Sequence, residues 1–160
     1  MSENACRPGC LASQNRAEKV PARRIFFARE KVTDYEPIMK TVAIIGASND
    51  RNKFGNKAVR AFRQQGYTVY PVNLKETKIE GLPAYKSIFE VPVRPHMISV
   101  YLPPAILLQA LPDIAAKGCD ELWINPGAES GEVLAEAERL GLNVIQACSI
   151  VGVGVSPEQL

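Results

Sequence analysis

Residues 42–56 read VAIIGASNDRNKFGN, and the fold follows from how this run is built. Val42 to Ile45 are four consecutive apolar residues that lead straight into Gly46. A small polar loop follows, and a helical pattern opens at Asn56. That succession describes a strand, a tight turn and a helix N-terminus. The first N–H groups of a helix have no partner inside it, and the peptide dipoles place partial positive charge at the same end. Such an end is a seat for a phosphate.

Outward from this run, strand-like and helix-like stretches alternate. The reading gives strands over 41–46, 67–72, 97–102, 121–125 and 143–147. Each is short, apolar and rich in β-branched or aromatic residues, as strands buried on both faces are. Helical stretches fall at 56–65, 104–117 and 131–140. The first puts Ala58, Val59 and Phe62 on one face, and the third carries Val133, Leu134, Ala137 and Leu140 at helical spacing. The second opens on Pro104, a favoured first helical residue, but Pro112 predicts a kink or two short helices. Gly66, Gly118 and Gly141 stand where three helices end. Residues 73–90 are irregular, and only 86–90 read as a helical turn. Alternation over about 120 residues implies one α/β domain: an open parallel sheet of about five strands, with helices on both faces.

Composition bounds the rest. The chain has 160 residues, 46% hydrophobic and 22% charged, ordinary for a globular domain. No apolar run approaches the ~20 residues that span a bilayer, and the N-terminus lacks the layout of a secretory signal. Residues 1–38 show no sustained period and contain Pro8, Pro21 and Pro37. They read as a poorly ordered extension with a short helix at 23–31, ahead of a domain over 39–160. Met39 stands where an alternative start would fall. The four cysteines, Cys6, Cys10, Cys119 and Cys148, match no zinc framework, and a reducing cytoplasm is the expected location. Cys6 and Cys10 leave open a disulfide or a metal contact, but no metal ligand set is assigned.

Charge is unevenly spread. Residues 41–95 hold nine Lys/Arg against four Asp/Glu, a balance of +5, whereas residues 96–160 hold two against eight, a balance of −6. Arg51, Lys53, Lys57, Arg60 and Arg63 follow Gly46 closely. They form either a solvated helix face or an anion-attracting edge; Lys53, in the loop itself, is assigned to the anion.

Ligands of open parallel sheets bind beyond the carboxyl ends of the strands. The candidates are therefore Gly46, Ala47, Ser48, Lys53, Phe54, Gly55 and Asn56 after the first strand, and Val72 and Asn73 after the second. Tyr101, Leu102 and Pro103 follow the third, and Asn125, Pro126 and Gly127 the fourth. Gly46 allows close backbone approach, Ser48 supplies a hydroxyl and Lys53 a mobile charge. Glycine and proline at one such junction are explained by turn chemistry; four junctions converging beside a basic edge favour a ligand groove. The dinucleotide fingerprint is incomplete: the middle glycine is missing, and Asn73 stands where a ribose-binding carboxylate is expected. No Gly-Lys-Ser/Thr follows the first strand, so the P-loop pattern fails too.

The segments GASNDRNKFGN, YPVN and INPGAES, at these separations, resemble the small stand-alone CoA-binding proteins, which are similar to the CoA-binding domain of the succinyl-CoA synthetase alpha subunit. The resemblance covers about residues 40–150 and implies a Rossmann-like fold with coenzyme A across the strand ends. It implies that the 46–48 turn and Lys53 meet phosphates, that Val72 and Asn73 flank adenine or ribose, and that 101–103 and 125–127 line the pantetheine path. Those synthetases use a phosphorylated histidine on a second domain. Here the single histidine, His96, precedes the third strand, at the edge opposite the ligand, where capping or solvent exposure is its expected role. No catalytic residue is assigned. Ser48 has no histidine to activate it, Cys119 and Trp123 read as packing residues, and Glu129 and Glu132 suit a helix start. Cys148 is a candidate thiol near the groove with no neighbour in sequence to lower its pKa.

The expectation is non-catalytic binding of coenzyme A or an acyl-CoA, with no nucleic acid or membrane as partner, and a second copy or another subunit as protein partner. The alternatives are an NAD(H)-binding redox or sensor domain, and the CoA-site subunit of a larger acyl-CoA synthetase-like complex.

Overall fold

The computed structural model describes residues 39–160; the extension, its helix at 23–31 and the Cys6/Cys10 pair lie outside the described residues. In chain order the elements are β1 (Thr41–Ile45), α1 (Phe54–Gln64), β2 (Thr68–Val72), a short hairpin of β3 (Lys78–Ile79) and β4 (Leu82–Pro83), β5 (Met97–Val100), α2 (Pro104–Lys117), β6 (Glu121–Ile124), α3 (Gly131–Arg139), β7 (Val144–Gln146) and α4 (Ser149–Gly152). All five strands and all three helices read from the sequence are present.

The main sheet is parallel throughout, in the order β2-β1-β5-β6-β7. The chain steps outward from β1 to β2, then crosses back to β5. That reversal opens a crevice between the carboxyl ends of β1 and β5. Ile45 is level with both Val72 and Val100, so three strands release their loops at one height.

Side-chain alternation along each strand builds two cores. Val42 and Ile44 pack with Ala58, Val59 and Phe62 of α1 and Ile150 of α4. Ala43, Ile45, Ile98, Val100, Leu122 and Ile124 face the other way, onto Leu107, Leu111 and Ile114 of α2 and Val133 and Ala137 of α3. Most of these side chains are wholly buried, and each Val, Leu, Ile or Phe among them contributes roughly 1.5–3 kcal/mol. Burial on both faces is why the strands read as continuous apolar runs rather than as alternating ones.

Three expectations are corrected. Helix α1 begins at Phe54, two residues earlier than the pattern at Asn56 suggested. Strands β1, β5 and β6 end at Ile45, Val100 and Ile124, so Gly46, Tyr101, Leu102 and Asn125 belong to loops. Helix α2 runs unbroken through Pro112. That residue is exposed, and the backbone bond it removes lies on the solvent side, where the loss is tolerated. The turn expected over 86–90 is a 3₁₀ turn at Ile88–Glu90, capped by the Ser87 hydroxyl, which accepts from the Phe89 N–H at 3.0 Å. His96 lies at the amino ends of the strands, the edge opposite the cleft; it is half-buried rather than solvent-exposed, its Nδ1 2.9 Å from the Thr41 hydroxyl.

Candidate functional site

The first loop is built from close backbone contacts. Gly46 has φ +86°, and a Cβ there would stand 2.5 Å from the Tyr101 carbonyl oxygen. A Cβ on Gly55 would likewise run into the Gly46 carbonyl. The two glycines thus let the ends of β1 and β5 and the start of α1 touch one another; the space a side chain would take at Gly46 is filled by the protein's own backbone.

Polar side chains then hold the loop in shape. Asn56 is wholly buried. Its Nδ2 donates to the Ser48 carbonyl at 2.8 Å and to the Glu80 carboxylate at 3.1 Å, and its Oδ1 accepts from Arg60 Nε at 2.9 Å. The Ser48 hydroxyl accepts from the Asp50 N–H at 3.1 Å. Ala47 is buried too, its carbonyl accepting from Asn73 Nδ2 at 2.6 Å. Asn73 also receives the Lys75 and Glu76 N–H groups on its Oδ1, at 2.7 and 3.0 Å.

Helix α1 starts with Lys53 as its N-cap, and no side chain caps its first N–H groups. Helix α2 has Pro103 as its N-cap, also without a side-chain cap. At α3, by contrast, the Ser130 hydroxyl accepts from the Val133 N–H at 3.2 Å. The two bare helix starts bring their positive ends to one place.

That place is a cleft in two adjoining lobes. The smaller, about 440 Å³, has Lys53, Phe54 and Gly55 on one side and Tyr101, Leu102, Pro103, Pro126 and Gly127 on the other. The larger, about 660 Å³, lies over the ends of β1 and β2 against α2, walled by Val72, Asn73, Leu74, Ile106 and Ile114, with Lys75, Lys86 and Asp113 as further charged groups. Gly46, Lys53 and Leu102 belong to both walls. Eleven of the fifteen candidate residues line one lobe or the other. Ala47, Ser48, Asn56 and Asn125 line neither lobe.

Asn125 supports the cleft from beneath. It is 2% exposed; its Nδ2 donates to the Ser99 hydroxyl and the Val100 carbonyl, both at 2.9 Å, and its Oδ1 accepts the Ser149 N–H at 2.8 Å. The Ser149 hydroxyl lies 2.7 Å from that of Ser99 and 2.9 Å from that of Tyr101. Burial pushes the Tyr101 phenol up to about 12, against the opposing pull of its hydrogen bonds to Ser149 and Ser99.

Of the five basic residues after Gly46, only Lys53 lines the cleft. Arg51 pairs with Glu80 at 3.3 Å, and Arg60 donates to the Arg51 carbonyl at 3.0 Å. Arg63 donates to the Glu80 carbonyl at 2.8 Å, and Lys57 to the Pro157 carbonyl at 2.7 Å. The anion-attracting edge therefore shrinks to Lys53, joined by Lys75 and Lys86, which the sequence reading passed over. Lys86 reaches the lobe because Tyr85 pairs with the end of β2, its N–H donating to the Pro71 carbonyl and its carbonyl accepting the Asn73 N–H, both at 2.9 Å. Only the charge excess of residues 41–95 hinted at this.

Among the described residues, Cys119 and Cys148 line neither lobe. Cys119 packs at the margin of the core, where burial pushes its thiol up to about 11, consistent with a packing role. Cys148 is half-buried at the N-cap position of α4. Trp123 packs on the α1 side of the sheet, as expected, and its indole N–H donates to the Glu121 carboxylate at 2.8 Å.

A parallel sheet of this order, with a glycine-tight first loop and a cleft over its carboxyl ends, defines a Rossmann-like domain. The CoA binding domain family matches residues 40–153, and the chain belongs to it. The resemblance read from the three sequence segments is thereby borne out. Over 86 residues the chain is 36% identical to the alpha subunit of the ADP-forming acetate-CoA ligase II of Pyrococcus furiosus, covering 53% of this chain and 19% of that one. Over 109 residues it is 35% identical to the ADP-forming acetate-CoA ligase II of Archaeoglobus fulgidus, covering 66% and 16% respectively. The chain thus spans less than a fifth of the length of these curated relatives. Among solved structures, a conserved hypothetical protein from Pyrococcus furiosus is 33% identical with a TM-score of 0.66, over 71% of this chain and 98% of that one. A protein from Thermus thermophilus is 28% identical with a TM-score of 0.64, over 71% and 87%.

Proposed function

We propose that the cleft binds coenzyme A or an acyl-CoA and that this chain holds the ligand without transforming it. The observation that carries the reading is Lys53 on the wall common to both lobes, beside two helix starts that no side chain caps. A diphosphate there meets a mobile ammonium and two positive helix ends. On one side the larger, mainly apolar lobe takes the adenosine against Val72 and Ile106. On the other, Leu102, Pro103, Pro126 and Gly127 flank the pantetheine arm. Each lobe falls within the ~300–1,000 Å³ of small-molecule sites.

Two features favour binding over chemistry or redox cycling. The charged groups of the walls are Lys53, Lys75, Lys86 and Asp113, while Cys119, Cys148 and His96 lie elsewhere. For an NAD(H) site the end of β2 must accept the ribose hydroxyls. Asn73 stands there with its oxygen already taken by two backbone N–H groups. A second reading, the CoA-site part of a larger ligase-like assembly, draws on relatives that are ligases several times longer than this chain. We place the protein in the cytoplasm, where such a ligand pool resides; among the described residues no helix is long and apolar enough to cross a membrane.

Isothermal titration calorimetry with coenzyme A and acetyl-CoA tests the reading, with NADH as competitor. The expected result is heat with both thiol-arm ligands and no displacement by NADH. Lys53→Ala should weaken binding by about 1–2 kcal/mol, the scale of one charge-assisted hydrogen bond. Unchanged affinity in that variant would remove the phosphate from Lys53. Turnover of acetyl-CoA by the chain alone would end the non-catalytic reading, and co-purification of a ligase-like subunit would favour the second one.

A further inference from the structure

We propose that the β3–β4 hairpin clamps the first loop in the shape that receives the ligand, and that Glu80, at the hairpin's tip, is the positioning residue of this clamp. The inference rests on the coenzyme A reading of the cleft; Glu80 itself lines neither lobe.

Glu80 and Gly81 form the two-residue turn between Ile79 and Leu82, at φ +47° and +82°. Two-residue turns with both residues at positive φ favour asparagine, aspartate or glycine. Among the described residues Glu80 is the one non-glycine residue at positive φ. A glutamate is a poor local choice there, and its contacts account for it. Its carboxylate accepts from Asn56 Nδ2 at 3.1 Å and pairs with Arg51 Nε at 3.3 Å, while its carbonyl accepts from Arg63 at 2.8 Å. The two protons on the buried Asn56 Nδ2 go to the Ser48 carbonyl and to Glu80, so one amide joins the loop to the hairpin. The first strand of the hairpin and the residues before it hold the other flank. The Glu76 carboxylate accepts the Asn49 N–H at 3.1 Å and also Asn49 Nδ2, and the Lys78 carbonyl accepts from Asn49 Nδ2 at 2.8 Å. Lys53 lies between these anchored flanks, Asn49 and Asn56. A loop ordered in advance does not have to be ordered by the ligand, and affinity rises accordingly.

Glu80→Gly keeps the turn and removes the carboxylate, whereas Glu80→Gln keeps an acceptor oxygen for Asn56. Calorimetry with coenzyme A, and amide hydrogen exchange on the ligand-free proteins well below their melting transitions, test the clamp. Glu80→Gly should bind coenzyme A about fivefold more weakly, the scale of one lost hydrogen bond. Its exchange should quicken over residues 48–55 and stay native over β5 and β6, whereas a general loss of stability would quicken exchange throughout. Glu80→Gln should restore both, with affinity within about twofold of native, since the exposed pair with Arg51 contributes little. Native affinity in Glu80→Gly, or exchange quickened equally across the sheet, would overturn the clamp. If the native chain binds no coenzyme A, the cleft reading falls by itself and exchange over 48–55 still decides. Unchanged rates in Glu80→Gly would then overturn the clamp as well, and rates quickened there alone would uphold the hairpin's hold on the loop.

Discussion

Asparagine does the same task at three corners of the cleft. Asn73 and Asn125 each use one amide to bridge backbone segments, and Asn56 uses its amide to join the Ser48 carbonyl to the Arg60 guanidinium, because that group donates and accepts at once. Their types and places were legible in the sequence; that Asn56 and Asn125 spend their side chains on the protein rather than on a ligand was not, since burial is a tertiary property. Asn125→Ala would leave the buried Ser149 N–H without its acceptor, and a loss of about 2–3 kcal/mol in chemical denaturation is expected. Tyr101 gives a second prediction. Its folded-state pKa of about 12 lies above the ordinary value of 10.0, so the unfolded chain releases the phenolic proton first. Stability should be unaffected by this group below pH 10 and should fall as pH climbs from 10 towards 12. Denaturant titrations across that window should show the slope in the native chain and a flatter one in Tyr101→Phe.

At the scale of elements, the strands were legible because burial on both faces leaves runs of β-branched and apolar residues, and the helices because one face repeats. Their ends were less so. Helix α1 takes in Phe54 and Gly55 because the Gly55 backbone packs directly on Gly46, a contact that local periodicity cannot register. Pro112 misled in the opposite direction: its local preference argues for a break, but Leu107, Leu111 and Ile114 bury one continuous face across it. That packing overrides a local cost, and the cost should be recoverable. Pro112→Ala restores a backbone donor at an exposed position, offset in part by a more flexible unfolded chain, and should stabilise the fold by about 1–2 kcal/mol in thermal or denaturant unfolding. Destabilisation instead would mean that the ring itself is packed against something.

For the whole molecule, a ligand that binds only the folded state adds stability by mass action. Coenzyme A at a hundredfold over its dissociation constant should contribute about 2.7 kcal/mol and raise the melting temperature by several degrees. The shift should shrink with added salt, since the phosphate contacts are electrostatic; a melting curve indifferent to coenzyme A at any ionic strength would contradict the proposed site. What the sequence by itself determined was the alternation of strand and helix, the parallel sheet, the glycine loop and the candidate residues at four strand ends. These depend on local periodicity and on turn chemistry, which neighbouring residues carry between them. Only the tertiary structure decided which of those residues wall the cleft, which basic side chains are spent on Glu80, Pro157 and the loop, and that Lys86 walls the same lobe as Lys75. Such choices depend on strand order, on the Lys57 contact with Pro157 and on Tyr85 pairing with the end of β2, contacts that local periodicity does not encode.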